Sequence, residues 1–208
     1  MSTPRYIADL HMEHKSISKY RKVFESTLHN DLYCMGILEE TCTKRDALWC
    51  LGDCLFGTTY IPFFRSLPGT KVLVLGNHDT REGPGARELL KGFDDVFALV
   101  KHKNMWLSHA PLHPEELRGK YNVHGHVHDA SIPDPRYLNV SMDSTFSQYF
   151  PRTLNEVRVA LEKQNSTGTF HAGIKDEDAL ALLKECPIRA RVYESALKKS
   201  KSTTVYLP

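Results

Sequence analysis

The chain has 208 residues, of which 41% are hydrophobic and 25% charged, and a net charge of +2. That size and composition suit one globular domain with a substantial core, with or without an extension. The near-balanced charge argues against a strong basic field for nucleic acid, and no apolar run reaches the length that crosses a bilayer.

Residues 4–9 read as a first strand, ended by Asp9. The helical spacing of Ile17, Tyr20, Val23, Phe24 and Leu28 predicts a helix over 16–28, and that of Leu32, Met35 and Leu38 a second over 30–41. A turn at 43–46 leads to a strand at 47–51. A short helix at 60–67, stopped by Pro68-Gly69, precedes a fully buried strand at 71–75. Gly83-Pro84-Gly85 opens a short helix around 86–91, and 97–100 with 104–107 resemble a hairpin turning near 101–103. After the proline-rich turn 111–114 come a short helix, strands at 121–124 and 136–141, and an amphipathic helix from Leu154 to Leu161. This order predicts an α/β fold of two packed mixed β-sheets flanked by helices. Residues 164–175 form a polar, glycine-containing break, followed by helical segments at 176–184 and 189–199. The expected organisation is a domain over 1–163 and a partly helical extension over 164–208, whose role the sequence does not disclose.

The N-terminus enters its strand without a signal-peptide pattern, and the five cysteines are odd in number with no secreted-scaffold spacing. Reduced thiols and a cytoplasmic location are the expectation. Cys50 and Cys54 flank Asp53, but no second cysteine pair with zinc-site spacing exists.

Five short segments carry the chemistry: Asp9-Leu10-His11, Gly52-Asp53, Gly76-Asn77-His78-Asp79, Ser108-His109 and His124-Gly125-His126-Val127-His128. All but the last directly follow an apolar, strand-like run. Carboxylate, amide and imidazole groups at the ends of adjacent strands can converge on one rim of a sheet. Such a rim suits divalent cations, and two of them ~3.5–4 Å apart can share one carboxylate and activate water toward phosphorus. Asp53 is the natural bridge, because Gly52 permits close backbone approach. Asp9 and His11 alternate about Leu10 and can face one way. Asn77 offers a neutral oxygen, and His109, His126 and His128 supply imidazoles. His124, His126 and His128 alternate evenly, so spacing alone does not choose two of them.

The order D-x-H, GD, GNHD, SH, GHxH resembles the calcineurin-like metallophosphoesterase superfamily over residues 5 to about 145. The opening ADLH-x-x-H is most similar to the small, uncapped phosphoesterases of bacteria and phages. The resemblance implies a pair of packed mixed sheets and a centre of two divalent ions, manganese, iron or zinc. One ion would be held by Asp9, His11, Asp53 and His128, the other by Asp53, Asn77, His109 and His126. The G-H-x-H pattern leaves His124 behind the ligands. His78 would face the substrate and protonate the leaving group, with Asp79 orienting its ring. Hydroxide formed between the ions would attack phosphorus in line. The substrate implied is a small phosphate mono- or diester, nucleotides among them. Nuclease activity and a non-catalytic protein-interaction scaffold are the alternatives, although a scaffold would be expected to have lost ligands and none is missing.

The resemblance departs after Asp53, where Cys54-Leu55-Phe56-Gly57-Thr58 lacks the arginine of a D-R-G segment, and at Asp79, where phosphoprotein phosphatases carry glutamate. Phosphoprotein substrates are therefore disfavoured. His14, Arg81 and His113 are candidates for substrate contact, each balanced by a solvent-facing reading. His29, His102 and His171 are expected at the surface.

Overall fold

Three parallel strands form the heart of the first sheet in a computed structural model that describes residues 3–203. They are β1 (Thr3–Ile7), β2 (Asp46–Cys50) and β3 (Thr70–Val74), with Ile7 opposite Cys50 and Cys50 opposite Leu73. Every residue of β2 is buried, the pattern of a strand covered on both faces. β4 (Asp95–Phe97) extends the sheet beyond β3, and β9 (Arg152–Thr153) pairs antiparallel with β1. The order is therefore β4-β3-β2-β1-β9. The second sheet, in the order β5-β6-β7-β8, contains β5 (Val100–His102), β6 (Met105–Leu107), β7 (Tyr121–His124) and β8 (Tyr137–Asn139). The α/β sandwich of two mixed sheets with flanking helices is thus the observed architecture.

Alternation along the strands divides the interior. Tyr6, Ala8, Trp49, Leu51, Val72 and Val74 face the second sheet, meeting Met105, Leu107, Val123 and Leu138. Ile7, Leu48, Cys50 and Leu73 face the opposite way, toward α2 (Thr27–Thr41) and its neighbours. The C-terminal helices α7 (Asp176–Glu185) and α8 (Pro187–Thr203) contribute Ala179, Leu183, Val192, Tyr193 and Ala196 to that same core. At the seam the sheets touch directly, through a parallel bridge between Ala8 and Ser141.

Several sequence expectations need correction. The helix over 16–28 is broken. Its first part, α1 (Ile17–Tyr20), stops before Arg21, whose buried guanidinium reaches the carbonyl oxygens of Asp9 and Leu10 and the Asp143 carboxylate. A second helix then starts at Thr27 because Ser26 caps it, its side chain accepting from His29 N at 3.1 Å. The hairpin expected from 97–100 and 104–107 is resolved differently. Asp95–Phe97 joins the first sheet, and Val100–His102 is the strand that pairs with β6. The turn between them is Lys103-Asn104, both left-handed at φ 50° and 68°, as tight hairpins require. His29 is fully buried, with its ring against Phe24 and Tyr193, and His102 and His171 are half-buried. Helix α6 (Leu154–Thr167) runs past Leu161 to a left-handed Gly168, so the irregular stretch begins at 168. Among the described residues no helix is long and apolar enough to cross a membrane.

Candidate metal centre

The loops that leave β1, β2, β3, β6 and β7 at their C-terminal ends all open on one rim. Asp9, His11, Asp53, His126 and His128 on that rim have left-handed backbone, with φ between 46° and 72°. Non-glycine residues adopt this region at a cost of ~1 kcal/mol or more, and such strain collects at functional sites. Two glycines make the approach of the loops possible. Gly52 has φ 89°, and a Cβ there would lie 2.4 Å from His109 Nδ1. A Cβ on Gly76 would lie 2.1 Å from Asp53 Oδ1.

All seven expected donors are brought together, in two groups. Asp9, His11 and His128 form the first: Nε2 of each histidine is 3.6 Å from Asp9 Oδ1. Asp53, His109 and His126 form the second, with Asn77 beside them. His109 Nε2 is 3.2 Å from Asp53 Oδ2, 3.0 Å from Asn77 Oδ1 and 3.2 Å from His126 Nδ1. Asp53 Oδ2 also lies 4.0 Å from His11 Nε2, which makes it the atom between the groups. Each group draws on both sheets, since Asp9, His11, Asp53 and Asn77 follow strands of the first, and His109, His126 and His128 follow strands of the second.

Hydrogen bonding fixes which atoms face inward. Asp9 Oδ2 accepts from His126 N at 3.0 Å and Ser141 Oγ at 2.8 Å, so Oδ1 is left to the histidines. Asp53 Oδ1 accepts from His78 N at 2.9 Å, leaving Oδ2. His109 Nδ1 donates to Leu51 O at 2.9 Å, which in the neutral ring turns the Nε2 lone pair inward.

Lone pairs of oxygen and nitrogen thus converge on a small space, an arrangement that needs positive charge. Asp9 Oδ1 and His11 Nε2 are buried and have no hydrogen-bond partner. Burial opposes charge on His109, yet the bond to Asp53 and the charges of Asp9 and Asp53 push it up to about 9. A proton there does the work of a cation. Burial likewise opposes ionisation of Asp9, but His11, His128 and His109 hold its carboxyl well below the usual range. Oxygen and imidazole donors without thiolate fit a divalent transition ion.

Around the donors, roles differ from expectation. The Asp79 carboxylate does not touch the His78 ring. It is buried and accepts from the backbone N–H of Gly76, Asp53 and Cys54 at 2.8–3.0 Å, and from Leu55 at 3.4 Å. Its position in the first turn of the short helix Asn77–Arg81 turns it back onto the loop, where it braces Asp53. Glu82, one helical turn beyond His78, holds His78 Nδ1 instead. Phe56 stacks on both His11 and His78, with centroids at 5.3 and 5.0 Å and interplanar angles of 29°. His124 is buried behind the rim, its Nδ1 2.8 Å from Gly125 O, and burial holds it down at about 4.

Of the three candidates for substrate contact, only His14 lines the cavity beside the first group. Arg81 is exposed beside Glu82, and exposed His113 caps the 3-10 turn Pro114–Leu117, 3.4 Å from Glu115 N. Neither borders the cavity. Sequence reasoning missed Asp143, which accepts from Arg21 Nε at 2.9 Å and meets His128 Nδ1 at 3.1 Å. Its signal was slight: it sits two residues past an expected strand end, as an acidic residue in no motif.

Comparison with known proteins adds family and fold. The profile of the family described as calcineurin-like phosphoesterase matches residues 6–194. The Gene 66 protein of Mycobacterium phage D29 is 27% identical over 180 residues, covering 69% of this chain and 89% of that protein. The Gene 66 protein of Mycobacterium phage L5 is 28% identical over 169 residues, covering 64% and 80%. A crystal structure of a protein of unknown function from Aquifex aeolicus superposes with a TM-score of 0.61 at 24% identity, covering 76% of this chain and 99% of that one, which speaks for the fold.

Proposed function

The chain belongs to the calcineurin-like phosphoesterase family, and from that premise we propose that it hydrolyses small phosphate mono- or diesters at a centre of two divalent cations. The observation that carries this reading is the position of Asp53 Oδ2, 3.2 Å from His109 Nε2 in one donor group and 4.0 Å from His11 Nε2 in the other. One carboxylate oxygen common to two sets of ligands is what a bridged pair of ions requires.

Asp9, His11, Asp53 and His128 would hold one ion, and Asp53, Asn77, His109 and His126 the other. Manganese, iron and zinc all suit this donor set. Bound there, the cations supply Lewis acidity toward the phosphoryl oxygens and the attacking water. The rest belongs to the chain. His78 lies between the centre and the cavity, its Nε2 3.9 Å from Asp53 Oδ2, within reach of a leaving oxygen. Protonating that oxygen is worth roughly 10²–10⁴ in rate. Glu82 keeps the His78 ring turned with Nε2 forward, and Asp79 ties the Asp53 loop, through the N–H groups of Asp53, Cys54 and Leu55, to that of Gly76. We take residues 1–163 as the catalytic unit and 164–208 as an extension, of which Gly173–Asp176 line the cavity. The reading favours small-molecule rather than polymeric substrates, and the five free cysteines are the support for a cytoplasmic location.

The test is a panel of phosphomonoesters, phosphodiesters and cyclic nucleotides, assayed with each metal added to stripped protein. Asp53→Asn is expected to lose metal and activity together, and His78→Ala to keep metal and lose turnover. Absence of hydrolysis with every metal would favour the scaffold alternative.

A further inference from the structure

Residues 172–174 of the C-terminal extension run along the metal rim as a short antiparallel strap, with Gly173 opposite Ser144. Ala172 O accepts from Thr145 N at 2.7 Å, and Ala172 N donates to Thr145 Oγ1 at 3.0 Å. Gly173 N donates to Asp129 O at 3.0 Å and Ile174 N to Asp143 O at 2.9 Å. The last two acceptors stand on either side of one ligand. Asp129 follows His128 directly, and the Asp143 carboxylate meets His128 Nδ1 at 3.1 Å. The strap therefore grips the main chain next to a ligand and the main chain of the group behind it.

The contact is as close as two main chains allow. A Cβ on Gly173 would lie 2.2 Å from Asp129 Cα and 2.3 Å from Asp129 Cβ, atoms that cannot swing aside, so only glycine fits. His128 O, one peptide away, accepts from Asn139 Nδ2 at 2.9 Å. The loop is thus held by β8 at one carbonyl and by the strap at the next. His128 has φ 46°, a left-handed conformation that a non-glycine residue keeps when its surroundings enforce it. The strap is itself anchored. Ile174 packs on the core under α2, and α7 starts at Asp176 with Ala179 and Leu183 buried in that core. Lys22 Nζ, 2.6 Å from Asp176 Oδ2, ties the same point to the segment after α1.

We propose that Ala172–Ile174 position His128 for its metal ion, which makes the C-terminal extension a working part of the metal centre. This rests on the two-cation reading for His128 as a ligand. Gly173 acts through its fit against Asp129, and Ile174 through the main chain of Asp143. Loss of the group behind a histidine ligand weakens metal binding by about 10–100-fold, and a displaced strap disturbs both that group and the ligand's own loop.

The test reads metal binding rather than turnover. Manganese is titrated calorimetrically into metal-stripped full-length protein, and the visible spectrum is recorded after loading with cobalt, whose absorption follows ligand geometry. Gly173→Ala should weaken manganese binding about tenfold or more and change the cobalt spectrum. Thr145→Val keeps the shape of its side chain but removes the acceptor of Ala172 N. It should act in the same direction to a smaller extent, and it decides the matter if Gly173→Ala does not fold. Gly168→Ala is the control, because φ there is 66° and an added Cβ would meet nothing within 4 Å. It strains the extension without touching the rim, so the unfolding midpoint should fall while affinity and spectrum stay as in wild type. Wild-type affinity or an unchanged spectrum in the strap variants overturns the proposal, as does an equal loss in Gly168→Ala. Those results in a protein that hydrolyses esters leave the hydrolytic reading standing. A selective loss in a protein that hydrolyses no ester supports the strap and counts against that reading. A wild-type protein that binds neither ion overturns both.

Discussion

Asp143 meets His128 at Nδ1, 3.1 Å away, and so decides that Nε2 is the nitrogen that faces Asp9 Oδ1 at 3.6 Å. Burial works against the charge of Asp143, but Arg21 and His128 hold its carboxyl well below the usual range. Asp143→Asn should weaken metal binding by about 10–100-fold, the usual effect of losing the group behind a histidine ligand. It should also destabilise the fold, because Arg21 loses its buried counter-charge, with ~3–5 kcal/mol as the upper range. Metal titration and denaturant unfolding read the two effects separately. Unchanged metal affinity would mean that His128 does not ligate.

Glu82→Gln tests how the His78 ring is held. Metal content should stay at the wild-type level. Turnover of alkyl esters, whose leaving groups need a proton, should fall by about tenfold or more, while p-nitrophenyl esters should be nearly unaffected. A structural defect would slow both substrate types alike. Equal loss on both would therefore refute the positioning role.

Gly76→Ala places a Cβ 2.1 Å from Asp53 Oδ1 and 2.4 Å from Asp53 N, neither of which has room to yield. The expected result is loss of bound metal, with destabilisation of about 1–3 kcal/mol from overpacking. Elemental analysis of the purified variant checks it. Wild-type metal content would show that the Asp53 loop is more pliant than its hydrogen bonds imply.

Asp31 gives a pH signature away from the centre. Burial outweighs the hydrogen bonds from Asn30 and the Glu13 backbone and pushes its carboxyl up to about 7 from a usual value near 3.8. The native group keeps its proton in the range where the unfolded one loses it. Its stabilising contribution is therefore complete below about pH 4 and is lost as pH rises to about 7, at roughly 1.4 kcal/mol per unit within that window. Asp31→Asn should flatten this decline relative to wild type when unfolding midpoints are compared from pH 4 to 8. Parallel curves would assign the proton elsewhere.

The convergence of the donor loops was legible because all but the His124–His128 segment follow an apolar strand, and adjacent strands deliver their ends to one edge. Asp9, Asp53, Asn77 and His109 share that grammar. What stayed hidden depends on contacts across the chain. Arg21 reads as one turn of a helix until its guanidinium is seen to leave for Asp9 and Leu10. Asp79 is expected from the family resemblance to orient His78, yet a side chain in the first turn of a helix bends back toward the preceding loop. Glu82, at i+4, was the residue with the right helical phase. His29 carries no local sign of burial, since what covers it includes Tyr193, which lies in the C-terminal helix. The strands at 95–97 and 100–102 merge into one apolar stretch in sequence, and only their partners separate them.

Because the donors of each group come from both sheets, the rim works as a rivet through two plates. A chain in which only the first plate has formed offers Asp9, His11, Asp53 and Asn77 but none of His109, His126 and His128. Ion capture should then come late in folding, and a small slip of one plate over the other would loosen both positions in the same movement. Occupancy of the two should rise and fall as a pair, and loading with ions should lock the sheets against shear.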